Sequence, residues 1–268
     1  DNYMRFLCLD GEQPQHTDHN RLGSGEPERD TLHLTLQSDP LDAAPLAGTP
    51  LLHTENWELW RDARERLVFS SLLEFPSLKI TIESDFSSGS ITGNFPALQE
   101  FDPLQDLGIK IFINWLAARG EVLLHASGVI AEDGAYAFIG ASGAGKSTAA
   151  ALLAKERAIT VLGEDQVVLR SIDGKFWIFG TPWHLNPSMC SPLGSPLKKL
   201  FFLERDDEAK AVSLSPDEGV TRLVQTAFIP FYQPGLVPGI LENLAQLYKS
   251  VPFYSLSFTL DGDLYSQV

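Results

Sequence analysis

A mixed α/β protein with a β-rich N-terminal region is the fold class this sequence predicts, on three observations. Short runs with period-two alternation recur between residues 31 and 82. Two apolar runs, 122–131 and 135–139, flank the turn Glu132-Asp133-Gly134. Directly after them, a glycine-rich loop at 140–147 leads into an Ala/Leu-rich stretch with helical character. The expected organisation is a β-rich region over 1–100, whose polar segment 9–30 reads as a long loop or partly disordered arm. An α/β region with a mixed sheet follows over 101–268.

The elements follow in order. Leu32, Leu34 and Leu36 alternate with His33 and Thr35, giving one apolar and one polar face. Trp57–Trp60 and Leu67–Phe69 repeat the pattern around a turn at 62–66, and Leu78–Ile82 alternates again before a Ser/Gly cluster at 87–90 ends it. An antiparallel sheet is expected. Asp102 as cap, Pro103 at the first helical position, apolar residues through Leu116 and the stop at Gly120 predict a helix over 102–120. A β-hairpin over 122–139, a helix over 146–156 and a strand over 159–162 come next. Runs 166–170 and 176–179 flank a second turn, Asp173-Gly174. Four prolines predict a loop over 182–196, followed by a buried strand over 199–203. Ser215-Pro216-Asp217-Glu218 has capping-box spacing and predicts a helix start. A last helix over 240–248 and a strand around 253–260 complete the chain.

Composition narrows the function. The 268 residues carry 20 Lys+Arg against 35 Asp+Glu, a formal charge of −15, and the pI is about 4.7. That balance argues against a nucleic-acid partner, which calls for a basic footprint, but leaves room for a nucleotide held locally. No apolar run reaches the ~18–20 residues of a membrane span. The two cysteines, Cys8 and Cys190, make neither a disulfide framework nor a Cys-rich zinc site. Residues 1–10 show no secretory signal, so the expected setting is cytoplasmic.

The loop Gly140-Ala141-Ser142-Gly143-Ala144-Gly145-Lys146-Ser147 fits G-x-x-x-x-G-K-[ST] without a mismatch. Its glycines let successive backbone N–H groups converge on phosphate oxygens, and the following helix adds its positive end. The cofactors expected are ATP and Mg²⁺. Residues 140–148, Thr148 included, form the nucleotide cradle, with Lys146 reaching the β- and γ-phosphates and Ser147 ligating Mg²⁺. Glu164-Asp165 follows an apolar strand only 19 residues beyond Lys146. Asp165 is assigned to Mg²⁺, directly or through water, and Glu164 to general-base work on an attacking hydroxyl. His125 lies one hairpin before the loop. It is placed either to orient a carboxylate or reach a phosphate, or as an ordinary core residue. His184, after Gly180-Thr181-Pro182-Trp183, is either a site-lining residue or part of a structural Pro-rich loop.

Leu124-His125-Ala126-Ser127-Gly128-Val129, the phosphate loop, and Gly163-Glu164-Asp165-Gln166-Val167-Val168 together resemble the catalytic domain of HPr kinase/phosphorylase and its relatives. Gly180–His184 and Pro196–Leu203 extend the resemblance to the divergent HPr-kinase-related proteins, so that it covers roughly 120–205. The resemblance implies an ATP-binding core of the kind shared with ATP-dependent phosphoenolpyruvate carboxykinase. It also implies catalytic roles for His125, Lys146, Glu164 and Asp165, and an oligomeric assembly. Two departures stand out: Glu164 occupies a position that is aspartate in that family, and no segment matches the one associated with HPr recognition.

The leading expectation is a kinase moving the γ-phosphate of ATP to a hydroxyl of a peptide, protein or small molecule. A nucleotide-dependent regulatory module and a pseudokinase are the alternatives. The chain contains no N-K-x-D segment of the kind that reads guanine.

Overall fold

The computed structural model describes residues 32–37, 48–72, 78–93, 108–155, 159–183, 186, 189–206, 208–259 and 264. The expected arm at 9–30, the boundary at residue 100 and His184 lie outside them. The fold is mixed α/β and mostly sheet. The chain divides into two compact units, one comprising Leu116–Pro230 and Pro234–Val268, the other the described residues of Gln15–Trp115 with Phe231–Gln233. Among the described residues, no helix is long and apolar enough to cross a membrane.

The second unit holds a six-stranded sheet built from β1 (His33–Gln37), β2 (Leu52–His53), β3 (Trp57–Arg61), β4 (Leu67–Ser71), β5 (Leu78–Ile82) and β6 (Ser88–Gly93). Their order is β1-β6-β5-β4-β3-β2. Alternation works as expected: Leu78, Ile80 and Ile82 are buried while Lys79 and Thr81 are not. Leu59, Leu67, Phe69, Ile80, Ile82 and Ile91 form one core with Ile111 of helix α1 (Gly108–Ala117). Two expectations fail. β1 pairs parallel to β6, because no hairpin joins them to force the antiparallel sense. The Ser/Gly cluster is itself the start of β6, entered through a turn in which the Phe86 N–H donates to the Glu83 carbonyl at 2.9 Å.

The other unit holds a nine-stranded sheet. Its strands are β7 (Val122–Leu124), β8 (Ala126–Ala131), β9 (Gly134–Ile139), β10 (Thr160–Gly163), β11 (Val167–Ile172), β12 (Lys175–Gly180), β13 (Gly194–Leu203), β14 (Lys210–Ser213) and β15 (Phe253–Ser257). The main path is β10-β8-β9-β13-β12-β11-β7, with β15 beside β13 and β14 beside β15. Helices α2 (Lys146–Leu153), α3 (Pro216–Thr226) and α4 (Val237–Ser250) complete it. β9 is buried along its whole length. Its Ala135, Ala137 and Ile139 pack with residues of α3 and α4 on one face, and its Tyr136 and Phe138 pack with Ala149, Ala150 and Leu153 of α2 on the other. A sheet covered on both faces explains why these runs are continuously apolar.

Here too the structure corrects details. The run 122–131 is two strands: β7 pairs with β11, β8 pairs with β9, and the break falls at His125. Strand β13 starts five residues before the expected 199, inside the proline-rich segment. Pro196 is tolerated because its first pairing is with β12 alone, and the β9 ladder begins only at Leu197. Ser215 occupies the cap position of α3, but its side chain makes no cap bond, and Glu218 instead accepts a hydrogen bond from Arg222 at 2.7 Å. The Asp173-Gly174 turn forms as expected, both residues with positive φ (49° and 73°). The first turn expected for the 102–120 helix lies outside the described residues.

Candidate functional site

Strand register brings the predicted residues to one edge of the nine-stranded sheet. Ala126 pairs with Ile139, so the start of β8 lies beside the end of β9, placing His125 beside Gly140. Gly163 pairs with Gly128, which puts Glu164 and Asp165 at that same edge. The β10 register skips Leu162, a bulge immediately before the acidic pair that re-aims the chain there. β13 runs parallel to β9 with Phe202 opposite Ile139, and β15 runs parallel to β13 with Leu203 opposite Leu256. The segments leaving β13 and β15, with Arg205 and Phe258, therefore emerge at the same edge.

The glycine-rich loop links β9 to α2. Gly143 and Gly145 have φ of 76° and 103°, the left-handed region that a side chain disfavours. An added Cβ at Gly145 would also sit 3.2 Å from the Phe258 ring. Gly145 is the N-cap residue of α2 and no side chain caps it, so the first-turn N–H groups of the helix lack that partner. Lys146 is only 6% exposed and its Nζ donates to the carbonyls of Gly140 at 2.8 Å and Ala141 at 3.3 Å. Burial pushes its pKa below the usual lysine value, partly opposed by the negative charge of Asp165. Asp165 thus lies within electrostatic reach of Lys146. Ser147 and Thr148 are exposed at the helix start. Arg205 donates from Nη2 to the Gly143 carbonyl at 2.9 Å.

The acidic pair has two unlike environments. Asp165 Oδ1 is 3.3 Å from His125 Nδ1, and both side chains are about one-third exposed. His125 is therefore brought to a carboxylate, and it also meets the Phe228 ring edge-on at 6.5 Å. Glu164 is 8% exposed, and its Oε1 has no hydrogen-bond partner among the described residues. Its backbone carbonyl is fixed by the buried Ser127 hydroxyl at 2.7 Å. Ser191 donates its N–H to the Leu162 carbonyl at 3.1 Å, carrying Cys190 past the acidic pair. There burial raises the Cys190 thiol pKa and the charge of Glu164 adds to the rise. The approach is so close at Gly180 that an added Cβ would lie 1.9 Å from the Ser191 carbonyl oxygen.

No known protein-family model matches the chain, and no curated protein matches it. The residues therefore carry the chemistry by themselves. A polyphosphate fits the loop: uncapped helix N–H groups, a buried cation and two exposed hydroxyls are a donor set for an anion. A divalent cation fits less completely. Among the described residues no cluster of three or more His, Cys, Asp or Glu side chains is arranged to hold one. Magnesium commonly binds through one or two carboxylates plus substrate phosphates. Ser147 and Asp165 would be the side chains to hold it.

Ser127, Arg205 and Phe258 were not singled out from sequence. Ser127 lies in the Leu124–Val129 stretch, and its place between His125 and Gly128 is the sequence signal that marks it. Arg205 and Phe258 lie 62 and 113 residues from Gly143 and Gly145, and only the parallel pairing of β9, β13 and β15 brings them near.

Proposed function

We propose that the chain is an ATP-dependent kinase of the HPr-kinase-related type, with a P-loop kinase core, transferring the γ-phosphate to a hydroxyl of a peptide, protein or small molecule. One observation carries the reading: a lysine-bearing glycine loop, a His125–Asp165 pair and a buried glutamate with an oxygen unpartnered among the described residues share one sheet edge.

The loop amides and Lys146 hold the phosphates, Lys146 exchanging its carbonyl partners for phosphate oxygens. Bound Mg²⁺ would supply charge neutralisation across the phosphates. Asp165, oriented by His125, and Ser147 are the groups that would hold it. Glu164 accepts the proton of the acceptor hydroxyl as that oxygen bonds to the γ-phosphorus, while the bond to the β–γ bridging oxygen breaks and ADP leaves. Ser127 fixes the backbone from which Glu164 projects. Positioning and electrostatics supply most of the acceleration in such a transfer.

The test is product analysis. The protein is incubated with Mg–ATP and a panel of free serine, other small hydroxyl compounds, hydroxyl-bearing peptides and HPr-like proteins. Phosphorylated acceptor supports the kinase. Free phosphate alone indicates a regulatory nucleotide hydrolase, and no turnover with retained ATP binding indicates a pseudokinase.

A further inference from the structure

The geometry points to Arg205 as a second phosphate-binding cation of the nucleotide site, a role that rests on the nucleotide-binding reading above. Arg205 leaves the end of β13 at the edge where the glycine loop begins, and it is exposed. It belongs to an acid-rich stretch containing Glu204, Asp206 and Glu208. Two of those acids are taken by other cations: Glu204 pairs with Arg222, and Asp206 pairs with Lys210. Arg205 instead directs its Nη2 to a neutral acceptor, the Gly143 carbonyl, at 2.9 Å. Among the described residues it forms no ion pair. A guanidinium has five N–H donors in a planar fork that matches phosphate oxygens. One carbonyl leaves most of that capacity free.

Lys146 shows the same behaviour on the other part of the loop, donating to the carbonyls of Gly140 and Ala141. The loop thus parks two cations on its own carbonyls, and an arriving polyphosphate offers each a stronger, charged acceptor. The need is physical. A chain of net charge −15 repels a polyanion at long range, so local cations must offset that field at the loop. Arg205 would contact phosphate directly from the side of Gly143, across from the helix start that carries Lys146.

Titration calorimetry with Mg–ADP, together with melting of the ligand-free protein, tests the assignment on wild type, Arg205→Ala, Arg205→Lys and Lys146→Ala. The expected result is that Arg205→Ala weakens Mg–ADP binding about tenfold or more, that Arg205→Lys recovers part of the loss, and that neither shifts the ligand-free melting temperature by more than a degree or two. If Lys146→Ala weakens binding while Arg205→Ala does not, Arg205 is no phosphate ligand and the nucleotide site stands. If Arg205→Ala lowers the ligand-free melting temperature and leaves affinity intact, the residue is a brace for the loop and the proposal is overturned. If wild type binds no Mg–ADP, or neither variant weakens binding, the nucleotide reading itself falls, and the Arg205 role with it.

Discussion

The two sheets treat buried polar groups differently. In the unit that carries the six-stranded sheet, the buried Asn114 sits in a network of polar groups that satisfy one another. Asn114 donates to the Tyr232 hydroxyl at 2.9 Å and to the Lys110 carbonyl at 2.8 Å, and it accepts from Gln233, which in turn accepts from Arg61 at 2.8 Å. In the nine-stranded unit Lys146 is buried against carbonyls of its own loop, and Glu164 is buried with one oxygen unpartnered among the described residues. A buried polar group without a partner costs about 1–3 kcal/mol, more when charged. A fold keeps such groups where something else completes them. The contrast separates a polar network closed on itself around Asn114 from a buried carboxylate with an oxygen left unpartnered among the described residues.

The largest expected effect lies at Glu164. Glu164→Gln keeps size and hydrogen bonding but cannot accept a proton, so kcat should fall by ~10²–10⁴-fold with ATP affinity nearly intact. Asp165→Asn should damage Mg–ATP affinity and kcat together. Steady-state kinetics paired with equilibrium binding separates the two neighbours, and a Glu164→Gln enzyme working at the native rate removes the base role.

A smaller effect sharpens the contrast through stability. Burial depresses the Lys146 pKa in the fold, so the unfolded chain binds more protons between that lowered value and 10.5. Stability should therefore rise with pH across that window. Lys146→Met should abolish the rise, gain ~0.5–2 kcal/mol at neutral pH and lose stabilisation by Mg–ADP. Denaturant melts at pH 7 and pH 10 check this, and a Met variant less stable than wild type at pH 7 contradicts it.

The six-stranded unit should show its smaller dependence at the opposite end of the scale. Burial alone would raise the Asp62 pKa, but hydrogen bonds from the Arg66 side chain and from the Arg66 and Arg64 N–H groups more than offset it. The carboxylate is thus held below 3.8. Its contribution is present above that value and lost as pH falls through the lowered one. Asp62→Asn should cost about 1 kcal/mol at pH 7 and less at pH 2–3. Equal losses at both pH values would show that its charge contributes nothing.

Much of the site was legible because its signals are local. The apolar strand at 135–139, the loop motif and the acidic pair after the next strand occur within 31 residues, and the Asp173-Gly174 turn announces itself by residue type. What escaped was set by pairing at a distance. The parallel β1–β6 contact, the extension of β13 through Pro196 and the delivery of Arg205 to Gly143 all depend on which strands lie side by side, and no residue spacing encodes that. His125 shows the intermediate case: its neighbours looked like core, and only the break between β7 and β8 turns it to Asp165.

Titration of Mg–ATP into wild type and Lys146→Ala tests the central claim most directly. Saturable binding by wild type, weakened at least tenfold (about 1.4 kcal/mol) in the variant, is the predicted result. Equal affinity in both proteins, or no binding by either, would contradict a nucleotide site at this loop.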